Sequence, residues 1–309
     1  MRISTKSYMD LLHQSVQKAE YRLGVLTQQI ASGKRIQNPS DDPVGAGQAL
    51  RAHAALEKSL SDQSTLDHAL RINNALDATL GQMTYPLQTA LDAALRATQI
   101  GLGETGLAAC ATEVRAAMEQ LVTCGNAEFN GIYLLAGTDN RQPPLTTTSD
   151  PTDVVTYSGN EQAMQIVISP GRVAPLTMTG QYLFNFADGA GERPVQGVDE
   201  SVFQVMDNLA AAIEADDSAG IAEYREKLTA MQRHILQARG VAGAYGLRLE
   251  QSLTLAKDTE LQSRIVLAEI EDIDMMNALL EATQQQTFYQ AALTATAQIA
   301  RMPTLFDRL

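Results

Sequence analysis

Residues 11–35, LLHQSVQKAEYRLGVLTQQIASGKR, decide the fold of this chain. Leu12, Val16, Ala19, Leu23, Leu26 and Ile30 are spaced 4, 3, 4, 3 and 4 residues apart. That spacing is the a/d seam of a coiled-coil helix, one narrow apolar stripe on an otherwise polar rod. Gly33 follows as a left-handed cap, which ends the helix before Lys34-Arg35. Ser40-Asp41-Asp42-Pro43 then reads as a helix start: Asp42 can accept from orphan N–H groups and Pro43 suits the first helical position.

The same period recurs along the chain. Leu76, Leu80, Met83, Leu87, Ala90 and Ala94 repeat it after Leu56, Leu60, Leu66 and Leu70. A single helix over 44–100 would be ~85 Å long. Pro86 removes a backbone donor and is expected to kink or divide it. Leu107, Ala111, Val114, Met118 and Leu121 form a returning helix. Helical spacing resumes at Val202, Met206, Leu209 and Ile213, again at Ile221, Tyr224, Leu228, Met231 and Ile235, and last at Phe288, Ala292, Ala295, Ile299 and Met302.

Between these helical halves the composition changes. Six of the ten prolines fall within residues 138–198, where Val154–Tyr157, Gln165–Ile168 and Tyr182–Phe186 read as short strands bounded by Gly or Pro. The expected fold is therefore mainly α with a β-rich insert: long coiled-coil or bundle helices from both chain ends and a small β domain in the middle. The expected divisions are a terminal assembly domain (1–40 plus 265–309), a helical rod (41–137 plus 199–264) and the insert (138–198).

Composition narrows function. The chain of 309 residues has 23 basic against 36 acidic side chains and a formal net charge of −13, which argues against a nucleic acid as principal partner. Trp is absent and aromatics are 5%, so the core rests on Leu, Ile, Val, Met and Ala, as helical bundles do. Cys110 and Cys124 on one helix would lie ~21 Å apart, too far for a disulfide. No run approaches the ~18 apolar residues of a membrane span, and no cleaved signal peptide is apparent at the start.

Catalytic constellations are missing. His13, His53, His68 and His234 are scattered, with no zinc-ligand spacing. Gly33-Lys34 fails as a phosphate loop, because Gln28 stands where the earlier glycine belongs and Arg35 where Ser or Thr does. Gly101, Gly103 and Gly106 fit a GxGxxG spacing but follow a helix, so they read as a turn. Glu271, Asp272 and Asp274 read as a solvated helix face rather than a cation site. No catalytic, cofactor or metal site is expected.

The termini carry opposite charge. Residues 1–40 hold six basic and two acidic side chains, whereas residues 265–309 hold two basic and six acidic, Glu269 among them. Their seams cannot be well buried by isolated helices. Two completions fit: pairing within one chain, or burial against neighbouring subunits.

Leu26–Ile36 with Pro39–Ala46 resembles the N-terminal signature of the flagellin superfamily. Phe129–Thr138 is similar to its helix-to-hairpin segment, Tyr157–Asn160 to the start of its insert, and Gly243–Glu250, Ile270–Asp274 and Gln284–Leu293 to its second half. The start Met1–Thr5 and the ending Leu305–Leu309 fit the hook–filament junction members better than filament flagellin. The resemblance implies a structural, non-enzymatic subunit of the bacterial flagellum, exported through the flagellar type III channel and therefore extracellular. Its implied partners are copies of itself in a ring, the hook-side junction protein FlgK, flagellin and the export chaperone FlgN. The terminal seams make Leu12, Val16, Leu23, Leu26, Ile30, Phe288, Ala292, Leu293 and Ile299 the expected assembly residues, with the seams gaining order as neighbours complete their burial.

Overall fold

The computed structural model describes residues 2–99, 103–147, 155–169, 171–187 and 191–300, with the side chains of 2–9, 169, 299 and 300 set aside. Gly101 of the glycine turn, Val154, Met302 and the ending Leu305–Leu309 lie outside the described residues. The chain forms two compact units, Ser61–Ala256 and Met1–Leu60 with Lys257–Leu309. Helices α1 (Arg2–Ser32), α2 (Pro43–Ala97) and α3 (Glu104–Gly125) come first. Strands β1 (Glu128–Phe129), β2 (Ile132–Tyr133), β3 (Leu145–Thr147), β4 (Val155–Tyr157), β5 (Gln165–Ser169) and β6 (Arg172–Pro175) follow. Helices α4 (Gly180–Leu183), α5 (Val202–Glu214), α6 (Ser218–Glu271) and α7 (Met275–Ala300) complete the order.

The unit Ser61–Ala256 holds one large core. On α2, Leu76, Leu80, Met83, Leu87, Ala90 and Ala94 are wholly buried, as their heptad spacing requires. They share that core with Leu107, Val114 and Leu121 of α3, Val202, Met206, Leu209 and Ile213 of α5, and Ile221, Leu228, Met231 and Ile235 of α6. Helix α3 packs along α5, and Arg115 Nη2 reaches Glu214 Oε2 at 2.9 Å. Asn73 Nδ2 donates to the Ala242 carbonyl at 3.2 Å, tying α2 to α6. Ser201 opens α5 with a reciprocal capping box: its hydroxyl accepts from Gln204 N–H while its own N–H donates to the Gln204 side chain at 2.9 Å.

Pro86 does not divide α2. A mid-helix proline costs about 3 kcal/mol relative to Ala. Here it sits on the buried face between Met83 and Leu87, and full burial of each large apolar side chain returns roughly 1.5–3 kcal/mol. Packing wins over local propensity.

Among the described residues the strands form three separate two-stranded antiparallel ladders, β1–β2 just before the insert and β3–β4 and β5–β6 within it. Asn130 (φ 52°) and Gly131 (φ 80°) make the first turn, with the positive φ at both positions that a tight hairpin favours. Asn126 stands in for a strand: its side chain accepts from Leu145 N–H and donates to the Leu145 carbonyl, both at 2.9 Å. Tyr182–Phe186 is not a strand. Thr179 caps the short α4 there, Leu183 and Phe184 are both buried, and Asn185 turns the chain at φ 59°. Alternation would have sent those two neighbours to opposite faces.

Around Gly137 the ladders are knotted to the helical core. Tyr157 Oη donates to the Leu135 carbonyl at 2.9 Å, and Asn160 N–H donates to the Ala136 carbonyl at 3.1 Å. Burial pushes the Tyr157 phenol up to about 12, so it stays a donor at any working pH.

Candidate assembly surface

In the unit built from the chain ends, α1 and α7 lie antiparallel, because Arg22 meets Glu281 (2.6 Å) while the Gly33 carbonyl accepts from Ile273 N–H (3.0 Å). On α1, Ala19 and Leu26 are buried and Leu12, Val16, Leu23 and Ile30 half-buried, so the heptad stripe faces inward. The facing stripe on α7 is Ala278, Ala282, Gln285, Tyr289 and Ala292. Three of these five are alanines, which leave room for the larger side chains of α1.

The structure therefore brings Leu12, Val16, Leu23, Leu26, Ile30 and Ala292 to one seam within the chain. Phe288 and Leu293 are not in it; they remain 54% and 43% exposed. Ile299 falls on α7, but its side chain lies outside the described residues. The register through Phe288 and the register through Ala278-Ala282-Gln285-Tyr289 share the 4, 3, 4, 3 spacing and cross at Ala292. The second is less apolar, which is why hydrophobic periodicity favoured the first.

This unit leaves much apolar surface open. Besides the seam, among the described residues its buried cluster is Ala49, Ala52 and Leu267, with Leu56 and Ile270 against it. Met276 (79%), Leu279, Leu280 and Phe288 are exposed on α7, as are Leu11 and Tyr21 on α1. At 100° per residue, Met276 and Leu280 lie on the face of α7 opposite Ala278 and Gln285, with Leu279, Phe288 and Leu293 on its flanks. Exposed large apolar residues concentrated on helices are a mark of an interaction surface. An open groove of about 460 Å³ on α1 is lined by Gln14, Gln17, Lys18, Tyr21 and Arg22.

The terminal charges meet within the chain. Lys34 Nζ reaches Glu271 Oε2 at 2.7 Å, His53 Nε2 lies 2.8 Å from Glu271 Oε1, and Arg35 Nη2 donates to the Ile270 carbonyl at 2.9 Å. Helix α6 stops at Glu271, so residues 271–274 are not a solvated helix face. Asp274 instead opens α7, its Oδ1 accepting from Met276 and Asn277 N–H at 3.0 and 3.1 Å. The acidic run gave no sign of this, because a capping aspartate and a surface aspartate look alike without the helix break.

Lys34 first, and His53 after it, hold the Glu271 carboxyl below its usual range. A depressed carboxylate stabilises the fold fully above its unfolded value and loses that contribution as pH falls through the lower folded value. The α1–α7 pair is thus expected to keep its helicity from pH 7 to 5 and to loosen below about 4. Helix-resolved hydrogen exchange across that range checks it, and loosening already complete at pH 5 would contradict it.

Among the described residues, no group of three or more His, Cys, Asp or Glu could hold a metal ion. His234 is buried with its Nε2 on the Tyr182 carbonyl at 2.9 Å, a structural role. Cys110 and Cys124 are free thiols, and burial pushes the Cys124 thiol up, away from reactivity. No described helix is long and apolar enough to cross a membrane.

Comparison with known proteins agrees with this geometry. Residues 3–140 match the bacterial flagellin N-terminal helical region. Flagellar hook-associated protein 3 of Salmonella typhimurium is 24% identical over 307 residues, covering 94% of this chain and 95% of its own. A solved structure of hook-associated protein 3 from Legionella pneumophila superposes with a TM-score of 0.61 at 13% identity, covering 71% of this chain and 98% of that one. Crystalline FlgL from Xanthomonas campestris gives 0.57 at 14% identity, over 71% and 99%. At such identities the solved structures establish the fold.

Proposed function

We propose, from the premise that this chain is a flagellin-superfamily protein with flagellar hook-associated relatives, that it is a non-enzymatic ring subunit joining the hook-side protein FlgK to the first layer of flagellin. The observation that carries this reading is the outward apolar face of α7, Met276, Leu279, Leu280 and Phe288, left open after the α1–α7 seam is closed. A chain that assembles has a use for such a face; an isolated scaffold does not.

On this reading the α1–α7 pair is the assembly element. It is marginal in the lone subunit, since its seam on α7 is mostly alanine and glutamine, and it gains order as copies cover the outward face. The subunit leaves the cell through the flagellar type III channel and works outside it. Before export, FlgN shields the C-terminal segment, whose exposed Met and Leu residues suit a helix-binding chaperone.

Electron microscopy of purified protein, alone and added to hooks already capped with FlgK, tests the role. The expected result is a short added layer on the capped hooks and no filaments from the protein alone. Long filaments formed alone would mark it instead as a filament subunit.

A further inference from the structure

We propose that the crossing of residues 33–35 with residues 271–273 is a latch, locked by the Glu271 carboxylate, that sets how ordered the α1–α7 pair is in the single chain. The backbone makes two rungs there: Arg35 N–H donates to the Glu271 carbonyl at 2.5 Å, and Ile273 N–H to the Gly33 carbonyl at 3.0 Å, flanking an antiparallel bridge between Lys34 and Asp272. Every covalent route from the pair into the rest of the chain passes this point. Helix α1 ends at Ser32 and α2 begins at Pro43; α6 ends at Glu271 and α7 begins at Met275.

Neither α1 nor α7 has helical backbone continuous with its neighbour, so stiffness is not transmitted through a helix. It depends on what holds the two breaks together. Two backbone rungs are a minimal ladder, and isolated short ladders are marginal in water. The side chains supply the rest. The Glu271 side chain, 13% exposed, takes Lys34 on one oxygen and His53 of α2 on the other, and so ties the end of α6 to the α1–α2 connection and to α2 at once. Arg35 adds a third tie, to the Ile270 carbonyl, and also faces Asp42 at 3.4 Å. With the carboxylate engaged, both breaks are pinned. Without it, the pair is tethered by two flexible connections, one of them starting at Gly33 in the left-handed region (φ 71°). The device belongs to the single chain and does not depend on the partner proposed above.

Hydrogen exchange on the full-length protein at neutral pH tests the latch. The variants are Glu271→Gln, which keeps shape and removes charge, and the pair Lys34→Met with His53→Gln, which leaves Glu271 in place. Peptides within 12–30 and 276–296 are expected to exchange about tenfold faster in both, the loss of a charge-assisted hydrogen bond in a half-open setting. Peptides within 76–94 and 202–213 should keep their wild-type rates. Equal terminal rates in wild type and variants, whether slow or fast, would overturn the latch. So would an equal acceleration of the core peptides, which would make Glu271 a general stabiliser. A junction role would survive either outcome, because it is read from assembly on capped hooks.

Discussion

Phe288→Asp is expected to abolish assembly while leaving the isolated chain folded. In the lone subunit Phe288 is exposed, so the substitution should change stability by no more than about 0.5 kcal/mol. If copies cover this flank of α7, the new carboxylate is buried without a partner, which costs about 3 kcal/mol or more per contact. At 1.4 kcal/mol per tenfold, each contact weakens by at least ~100-fold, and a ring multiplies the loss. The measurements are circular dichroism and thermal unfolding of the monomer, then addition to FlgK-capped hooks and motility in a complemented strain. Leu26→Asp is the contrasting variant, because Leu26 is buried in the seam: it should fail to assemble and also lose α1 and α7 helicity in the monomer. Normal assembly by Phe288→Asp would remove α7's outward flank from the interface.

Gly137→Ala is the second large effect, and it acts on the other unit. Gly137 sits at φ 76°, where an L-side chain costs about 1–2 kcal/mol. A Cβ there would also come within 2.8 Å of the backbone oxygens of both Asn160 and Gln162. The first cannot readily swing aside, since the Asn160 backbone is itself held by its N–H bond to the Ala136 carbonyl and by the Tyr157 hydroxyl. Forced displacement of this kind adds a further ~1–3 kcal/mol. Chemical denaturation should register a total loss of about 3 kcal/mol, with the α1–α7 pair unaffected by hydrogen exchange. A loss below about 1 kcal/mol would show that the segment around Gly137 is not tied into the core as described.

The helices were legible because burial repeats at their own period: the stripe from Leu76 to Ala94 and that from Leu107 to Leu121 are the buried faces in the structure. Asp42 and Gly33 were legible as punctuation, and both act so, Asp42 Oδ1 accepting from Gly45 N–H at 2.9 Å. Pro86 does not divide α2, because local propensity is weaker than the packing of Met83 and Leu87 beside it. Tyr182–Phe186 misled because aromatic, β-prone residues can equally fill a core from a capped helical turn, where Thr179 accepts from the Tyr182 N–H and Phe184 N–H donates to the Gly180 carbonyl. The partner of the α1 stripe was illegible for a different reason. The α7 seam mixes three alanines with Gln285 and Tyr289, a weakly apolar set, so a hydrophobic pattern passes over it and settles on Phe288. The residues so passed over point inward, and Phe288 stays exposed.

Hydrogen exchange of the purified chain, peptide by peptide, alone and after mixing with FlgK, tests this account most directly. Alone, residues 12–30 and 276–296 should exchange faster than 76–94 yet slower than an unstructured chain, and both should slow on addition of FlgK. Terminal helices as protected alone as the core, and unchanged by FlgK, would contradict it.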